Sequence, residues 1–419
     1  MKKIAITGMG IVAPPGIDKR VFWANLKAGH SFIKEITRFD ASLYPSHIAG
    51  QVHELDAYTH VSSRLLKKMD VFSHMALVAS DLALKDAQLD LSKEDLKRVG
   101  IFMGNAIGGW LYAETELRDL YIEGRSGVSP YMASAWFPAA PQGQVSIYYG
   151  IKGYSKTVVA DRASSLMAIG YACKIINKDK CDFILAGGME APVTPYALLC
   201  CNTSGILSQR NAEPQTAYRP FDKTRDGLVI AEGAGVLILE TPERTARRGS
   251  HILANILGYA TTTDGFDRIE PEPTGEQLSR AIKLALDDAG LGINDIDYIC
   301  ADGVATKIGD ITETKAIKEV FGKKAYRIPV SAPKSMFGNL LGASGAVDLI
   351  ATILAMENKT VPPTINLNTP DSECDLDYCP NKAQNKEIKR AMVISRGRGG
   401  INCVMIVEKS NEAQTYGTQ

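Results

Sequence analysis

The chain has 419 residues, 45% hydrophobic and 22% charged, with 47 basic and 47 acidic side chains. That length supplies two or three domain equivalents and an ample core. A formal net charge of zero gives no argument for nucleic acid or an anionic membrane as partner, and no apolar run reaches the ~18 residues of a membrane span.

Met1-Lys2-Lys3 leads into a short apolar strand that ends at Pro14-Pro15, so no signal peptide is expected. Strand-like runs at 3–7, 99–103, 183–186 and 236–239 then alternate with helical stretches such as 75–87 and 166–177. The second half repeats the order: strand 252–259, helix 275–289, strand 298–301, helices 310–321 and 347–356, and a closing strand pair across 392–407. This alternation predicts an α/β fold of mainly parallel sheets covered by helices. The repeat puts the best boundary at 245–250, giving halves 1–250 and 251–411 and a polar tail, 412–419, expected to fray. No low-complexity linker separates the halves, which predicts one compact body. The eight cysteines (Cys173, Cys181, Cys200, Cys201, Cys300, Cys374, Cys379, Cys403) lie mostly inside apolar runs without Cys-x-x-Cys spacing. Reduced, buried thiols in a cytoplasmic protein are the expectation.

Three local patterns invite a chemical reading. Gly8-Met9-Gly10-Ile11-Val12-Ala13 fits a dinucleotide-binding pattern, but Pro14-Pro15-Gly16 follows where the phosphate-binding helix should begin, so a tight turn is expected instead. Trp110, Ala113 and Leu117 form an i, i+3, i+7 stripe after Gly108-Gly109, with Glu114, Glu116 and Arg118 off it. Periodicity alone reads this as an amphipathic helix with a core face. The third pattern is Asp161-Arg162-Ala163-Ser164-Ser165, between the β-branched run Thr157-Val158-Val159 and a helical stretch from Leu166 to Ile176. Strand, tight turn and helix hold a side chain at a helix N-terminus, where backbone N–H groups and the dipole stabilise an anion. Arg162 stands there instead, and a guanidinium is no nucleophile. Apolar flanks on both sides predict that Arg162 is buried, and a buried arginine needs a carboxylate and several acceptors.

From its first residue to about residue 410, the sequence resembles the β-ketoacyl-acyl carrier protein synthases of the thiolase superfamily. The matching stretches include Gly104-Asn105-Ala106-Ile107-Gly108-Gly109, Ala186-Gly187-Gly188-Met189-Glu190, Arg219-Pro220-Phe221-Asp222, Lys334-Ser335-Met336 and Leu341-Gly342-Ala343-Ser344-Gly345. The resemblance implies a duplicated five-layer αβαβα fold. That family condenses acyl thioesters with one Cys and two His, and the matching positions here are Arg162, Asp302 and Asn339. The resemblance brings them to one spot and so implies an Arg162–Asp302 ion pair plugging the old site. Asn339 would be a further acceptor and Asp161 the competing partner. Lys334 and Glu313, which match supporting positions of that site, read as structural. Val304 and Thr306 match two threonines that grip a pantetheine arm, so that grip is at best halved. Arg396 and Arg398 replace two aromatic gates and would obstruct an acyl chain.

Cys173 lies about 16 Å along the same helix and cannot substitute as nucleophile, and Cys200-Cys201 lack a matched histidine to activate them. Ile107, Trp110, Ala113, Leu117 and Met132 match residues lining an acyl tunnel at the subunit interface, with the loop at Ser129-Pro130-Tyr131-Met132 projecting into the partner. Ala135-Trp136-Phe137 is similar to the chain-length-factor branch. Arg64, Lys67 and Lys68 match a basic patch that meets acidic carrier proteins. The implied role is a non-catalytic chain-length factor paired with a catalytic ketosynthase in bacterial type II polyketide biosynthesis. It would need no cofactor of its own, since the acyl chain travels on the phosphopantetheine arm of an acyl carrier protein met mainly through the partner. The rival readings are a malonyl-thioester decarboxylase or atypical condensing enzyme of the same fold, and a stand-alone scaffold.

Overall fold

The computed structural model describes residues 2–53 and 55–410; the tail expected to fray, 412–419, lies outside them. Ten strands form one large sheet: β1 Ile4–Val12, β2 Val99–Gly104, β3 Ser155–Val158, β4 Phe183–Glu190, β5 Gly233–Glu240, β6 Ala254–Thr263, β7 Tyr298–Cys300, β8 Val330–Ser331, β9 Arg390–Gly397 and β10 Ile401–Lys409. Their spatial order is β8-β7-β9-β10-β6-β1-β5-β4-β2-β3. Outward from the antiparallel β1–β6 junction, both arms follow one rule. The first two pairings are antiparallel and the last two parallel. The sheet is therefore mixed, not mainly parallel, because each half reverses the chain once, between β4 and β5 and in the β9–β10 hairpin.

Seven helices position the site: α1 Val71–Asp86, α2 Trp110–Glu123, α3 Ser164–Asn177, α4 Pro195–Thr203, α5 Glu276–Ala289, α6 Lys307–Phe321 and α7 Ser344–Glu357. α1 covers one arm of the sheet and α5 the other, while α3 and α7 pack between the arms, giving five layers. Helix α7 is buried continuously from Ser344 to Met356, which accounts for its lack of a polar face. β4 and β5 are buried on both faces and read as near-continuous apolar runs for the same reason.

The expected tight turn falls at Pro14-Pro15, where Ala13 and Gly16 exchange backbone hydrogen bonds at 3.2 and 2.9 Å. β1 continues through Gly8 and Gly10 to Val12 with only a register shift between Ile6 and Gly8. Its glycines serve close packing: a Cβ on Gly8 would lie 2.3 Å from Ala83 O, and one on Gly10 2.0 Å from Ala79 O, both on α1. The second half uses the same device, since a Cβ on Gly258 would lie 2.3 Å from Ala285 O on α5. Other boundaries differ by a few residues. The helix expected from 310 starts at Lys307, because Thr306 accepts the Gly309 N–H at its N-cap.

Candidate functional site

Strand β3 delivers the chain to Asp161, which sits at φ 50 in the left-handed region, and Arg162 follows just before α3 begins at Ser164. Arg162 is 8% exposed, as its apolar flanks predicted. Burial disfavours its charge, but Asp161 first and Asp302 second outweigh that and hold the guanidinium above its ordinary value. The Arg162–Asp302 ion pair expected from the sequence is present but long. Arg162 Nη1 donates to Asp161 Oδ2 at 3.2 Å, while Nη2 lies 3.9 Å from Asp302 Oδ2, an ion pair without a hydrogen bond. Arg162 Nε has no hydrogen-bond partner among the described residues.

The reason lies around Asp302. Its backbone is fixed from behind, as Asp302 N–H and Gly303 N–H donate to the two Glu313 oxygens at 2.8 and 2.9 Å. Its other carboxylate oxygen lies 3.9 Å from Lys334 Nζ, so one carboxylate stands between two cations and bonds neither. Lys334 instead donates to Asp302 O at 2.8 Å and lies 2.7 Å from Asp348 Oδ2. Burial opposes its charge, and Asp348, then Asp302, more than compensate. Burial and the Asp302 carboxylate push Glu313 up to about 7. Asn339 is no acceptor for Arg162. Its Oδ1 accepts Leu341 N–H and Ser344 Oγ–H, both at 3.0 Å, and its Nδ2 donates to Tyr218 Oη at 3.3 Å. It braces the start of α7.

The two gate arginines are structural braces as well as cleft walls. Arg396 is buried and donates to Gly309 O at 2.9 Å, Thr312 Oγ1 at 3.0 Å and Asn402 Oδ1 at 3.3 Å. Arg398 N–H donates to Asp161 Oδ2 at 2.7 Å, and its guanidinium to Ser204 Oγ at 2.7 Å. Arg162, Asp302, Val304, Thr306, Arg396 and Arg398 all line one cleft with an interior of about 50 Å³. That space admits a few water molecules and no extended acyl arm.

The thiols lie elsewhere. Cys173 is fully buried, with its pKa raised by burial, and Cys201 is pushed up to about 11, chiefly by burial. Neither supplies thiolate near neutral pH. Sequence reasoning passed over Glu190, which gathers Ala106 N–H at 2.6 Å, Gly342 N–H at 3.0 Å and Ile107 N–H at 3.3 Å. Burial raises it to about 8. The signal was available: an acid ending an otherwise apolar strand.

None of Ile107, Trp110, Ala113, Leu117 and Met132 lines the cleft at Arg162. Trp110 is half-buried, its ring centroid 4.5 Å from that of Tyr196 and 6.2 Å from that of Trp136. Ala113 is buried, Met132 and Ile107 are half-buried, and Leu117 is 39% exposed beside Leu120, Tyr121 and Ile122. The acids expected on the solvent side turn inward: Glu116 is buried and accepts Ser129 N–H, and Glu114 accepts Tyr196 N–H at 3.0 Å. Arg64 and Lys67 are exposed, and Lys68 Nζ stands 4.7 Å over the Tyr131 ring.

A duplicated αβαβα body with a strand–turn–helix elbow at its centre, where Arg162 is buried, defines a thiolase-like protein. Residues 1–245 match the family described as beta-ketoacyl synthase, N-terminal domain, and residues 253–368 its C-terminal domain. The chain belongs to the β-ketoacyl synthase family. It is 41% identical over 408 residues to the 3-oxoacyl-[acyl-carrier-protein] synthase 2 of Staphylococcus aureus strain COL, covering 97% of this chain and 98% of that one. The enzyme of the same name from Coxiella burnetii is 37% identical over 408 residues, covering 97% and 99%. Among solved structures, the ishigamide ketosynthase/chain length factor aligns with a TM-score of 0.92 at 30% identity, covering 98% of this chain and all of that one. A type II PKS ketosynthase bound to the hexaketide, in complex with its acyl-carrier protein, aligns at 0.90 and 33% with the same coverage.

Proposed function

We propose that this chain is a non-catalytic chain-length factor, the partner of a catalytic ketosynthase in a type II polyketide synthase. The observation that carries the reading is the guanidinium of Arg162 at the elbow, with Asp302 and Asn339 at the two matched histidine positions. No group there can attack a thioester or polarise its carbonyl as imidazole would. Helix α2 supports the partnership: Glu116 and Glu114 are bonded to neighbouring segments, while Leu117, Leu120, Tyr121 and Ile122 are exposed. Such an apolar surface calls for a protein partner.

On this reading Ile107, Trp110, Ala113, Leu117 and Met132 complete a tunnel only when the partner is present, and its walls limit chain length by volume. Forcing extra methylene-sized groups into packed space costs ~1–3 kcal/mol. The acyl chain arrives on a carrier-protein arm, chiefly through the ketosynthase. Arg64, Lys67 and Lys68 would meet the same acidic carrier. We read 1–250 and 251–411 as the two halves, and the location as cytoplasmic; among the described residues no helix is long and apolar enough to cross a membrane.

One observation favours a second reading, a condensing enzyme: the relatives named 3-oxoacyl-[acyl-carrier-protein] synthase 2 match over nearly the whole chain. It requires a nucleophile that Cys173 and Cys201 do not provide. The test assays the purified chain alone with malonyl- and acyl-carrier protein, then with a co-expressed ketosynthase carrying intact Cys and His positions. Turnover by the isolated chain contradicts the proposal; product formation only by the pair, in a one-to-one complex, supports it.

A further inference from the structure

The turn that ends β1 borders a hollow that shares no lining residue with the cleft at Arg162. Pro14 and Pro15 have no N–H to give a sheet, so the strand stops before them. Asn25, on the helix Lys19–Ala28, pins the turn by donating from Nδ2 to Pro15 O at 2.7 Å. The third wall is a two-stranded ribbon, Ile33–Glu35 paired with Ile48–Gly50, tied down where Phe32 N–H donates to Met336 O at 2.7 Å. Together these segments bound about 290 Å³, room for on the order of ten water-sized groups at ~30 Å³ each.

Pro14, Pro15, Ile17, Val21 and Phe32 give the hollow an apolar wall, and Lys34, Gln51 and His53 line it from the ribbon side. Gln51 is only 6% exposed. Its amide orientation is fixed by chemistry: the carbonyl end accepts Thr37 N–H at 2.8 Å and Thr37 Oγ1–H at 3.4 Å. The NH2 end is therefore the open one, and it meets no acceptor among the described residues. A buried donor left unmet is costly, and an acceptor brought by a ligand removes that cost. Lys34 is exposed and forms no ion pair among the described residues. The described residues that line the hollow include no carboxylate.

We propose that this hollow binds a small organic carboxylate, with its anionic head on Gln51 Nε2 and Lys34 and a compact apolar body against Pro14, Pro15 and Phe32. Each part of the ligand answers one part of the wall. A neutral hydrocarbon would leave the Gln51 donor unmet, and a cation would face Lys34. An inorganic anion would satisfy the donors but leave the apolar wall in contact with water. The hollow lies apart from the elbow, so the inference stands whether or not the chain is a chain-length factor.

Calorimetric titration of the full chain with sodium benzoate tests this. Benzoate should bind saturably, with a dissociation constant of about 1 mM or below. Benzamide, its neutral counterpart, should bind about tenfold more weakly, since it lacks the charge that strengthens both hydrogen bonds. Gln51→Glu keeps an acceptor for Thr37 but replaces the open donor with a carboxylate oxygen, and should abolish benzoate binding. Val21→Trp, at a side chain 52% exposed, should fill the hollow with the same result. Unchanged melting temperatures certify both folds. If Gln51→Glu does not fold, Lys34→Ala at its exposed position should still weaken benzoate by about tenfold. Wild type that shows no saturable binding overturns the site. Binding that survives both Val21→Trp and Lys34→Ala puts benzoate elsewhere and overturns it too. Equal affinity for benzamide overturns the assignment of an anion.

Discussion

Asp161 is the residue on which the elbow turns. It holds a left-handed backbone (φ 50), and its carboxylate accepts both Arg398 N–H and Arg162 Nη1. Asp302 touches its two cations only at 3.9 Å. Asp161→Ala should therefore cost more than Asp302→Ala. We expect ~3–5 kcal/mol for Asp161, from an orphaned buried arginine plus left-handed strain that alanine tolerates poorly, and ~2–3 kcal/mol for Asp302. Denaturant unfolding of the two variants measures the order, and a larger loss for Asp302 would mean the ion pair is tighter than its geometry. A thiol introduced at the elbow should not by itself form an acyl adduct. In Arg162→Cys, no imidazole stands at 302 or 339 to take the proton, so intact-mass analysis after incubation with acyl-carrier protein should find no acyl adduct. The burial of Arg162 was legible from its apolar flanks. The long contact to Asp302 was not, because it follows from Glu313 and Lys334 fixing that residue from other parts of the chain.

At the scale of elements, α2 carries the lesson. The 3, 4-residue spacing groups Trp110, Ala113 and Leu117, yet spacing does not say how each is covered, and they are half-buried, buried and exposed in turn. Leu117→Ala should leave the isolated chain within about 0.5 kcal/mol of wild type, as surface changes do, and lengthen the product of the assembled complex. Trp110→Ala should cost ~2–3 kcal/mol, less than a fully buried Trp, and also lengthen the product. Mass spectrometry of products beside complex yield separates the effects; an unaltered product from a properly assembled Leu117→Ala complex removes that residue from the tunnel wall. Ala113 is 1% exposed, so Ala113→Phe would overpack by ~1–3 kcal/mol before it could narrow a tunnel. The glycines of β1 make a separate prediction. Gly8→Ala should separate α1 from the strand and lower stability, because its Cβ would meet the backbone of Ala83.

Over the whole molecule, buried carboxyls set the pH response. Burial raises Glu190 to about 8 and Glu313 to about 7. A raised carboxyl keeps its proton in the folded state after the unfolded chain has lost it. Its stabilisation is therefore complete below the unfolded value near 4.5 and is lost as pH rises through 7 and 8. Stability should fall between about pH 5 and 8.5, with both groups contributing in the same direction. Glu190→Gln should flatten that slope while lowering the plateau, since an amide oxygen replaces two acceptors for three N–H donors. Stability that rises over this window would show that both groups are ionised in the fold.

By itself, the sequence determined the duplicated α/β body and the buried arginine at its elbow. Both depend on local pattern: apolar periodicity within each element, and residue types at matched positions. Tertiary structure alone decided that the sheet is mixed, that the β1 glycines seat a helix, and that α2 buries Glu116 while exposing Leu117, Leu120, Tyr121 and Ile122. It also decided that Asp302 is shared between Arg162 and Lys334. Each of these depends on where distant segments meet, and the charges at the centre come from Asp161, Asp302, Lys334 and Asp348, brought together by helices α3 and α7 packed between the two arms of the sheet.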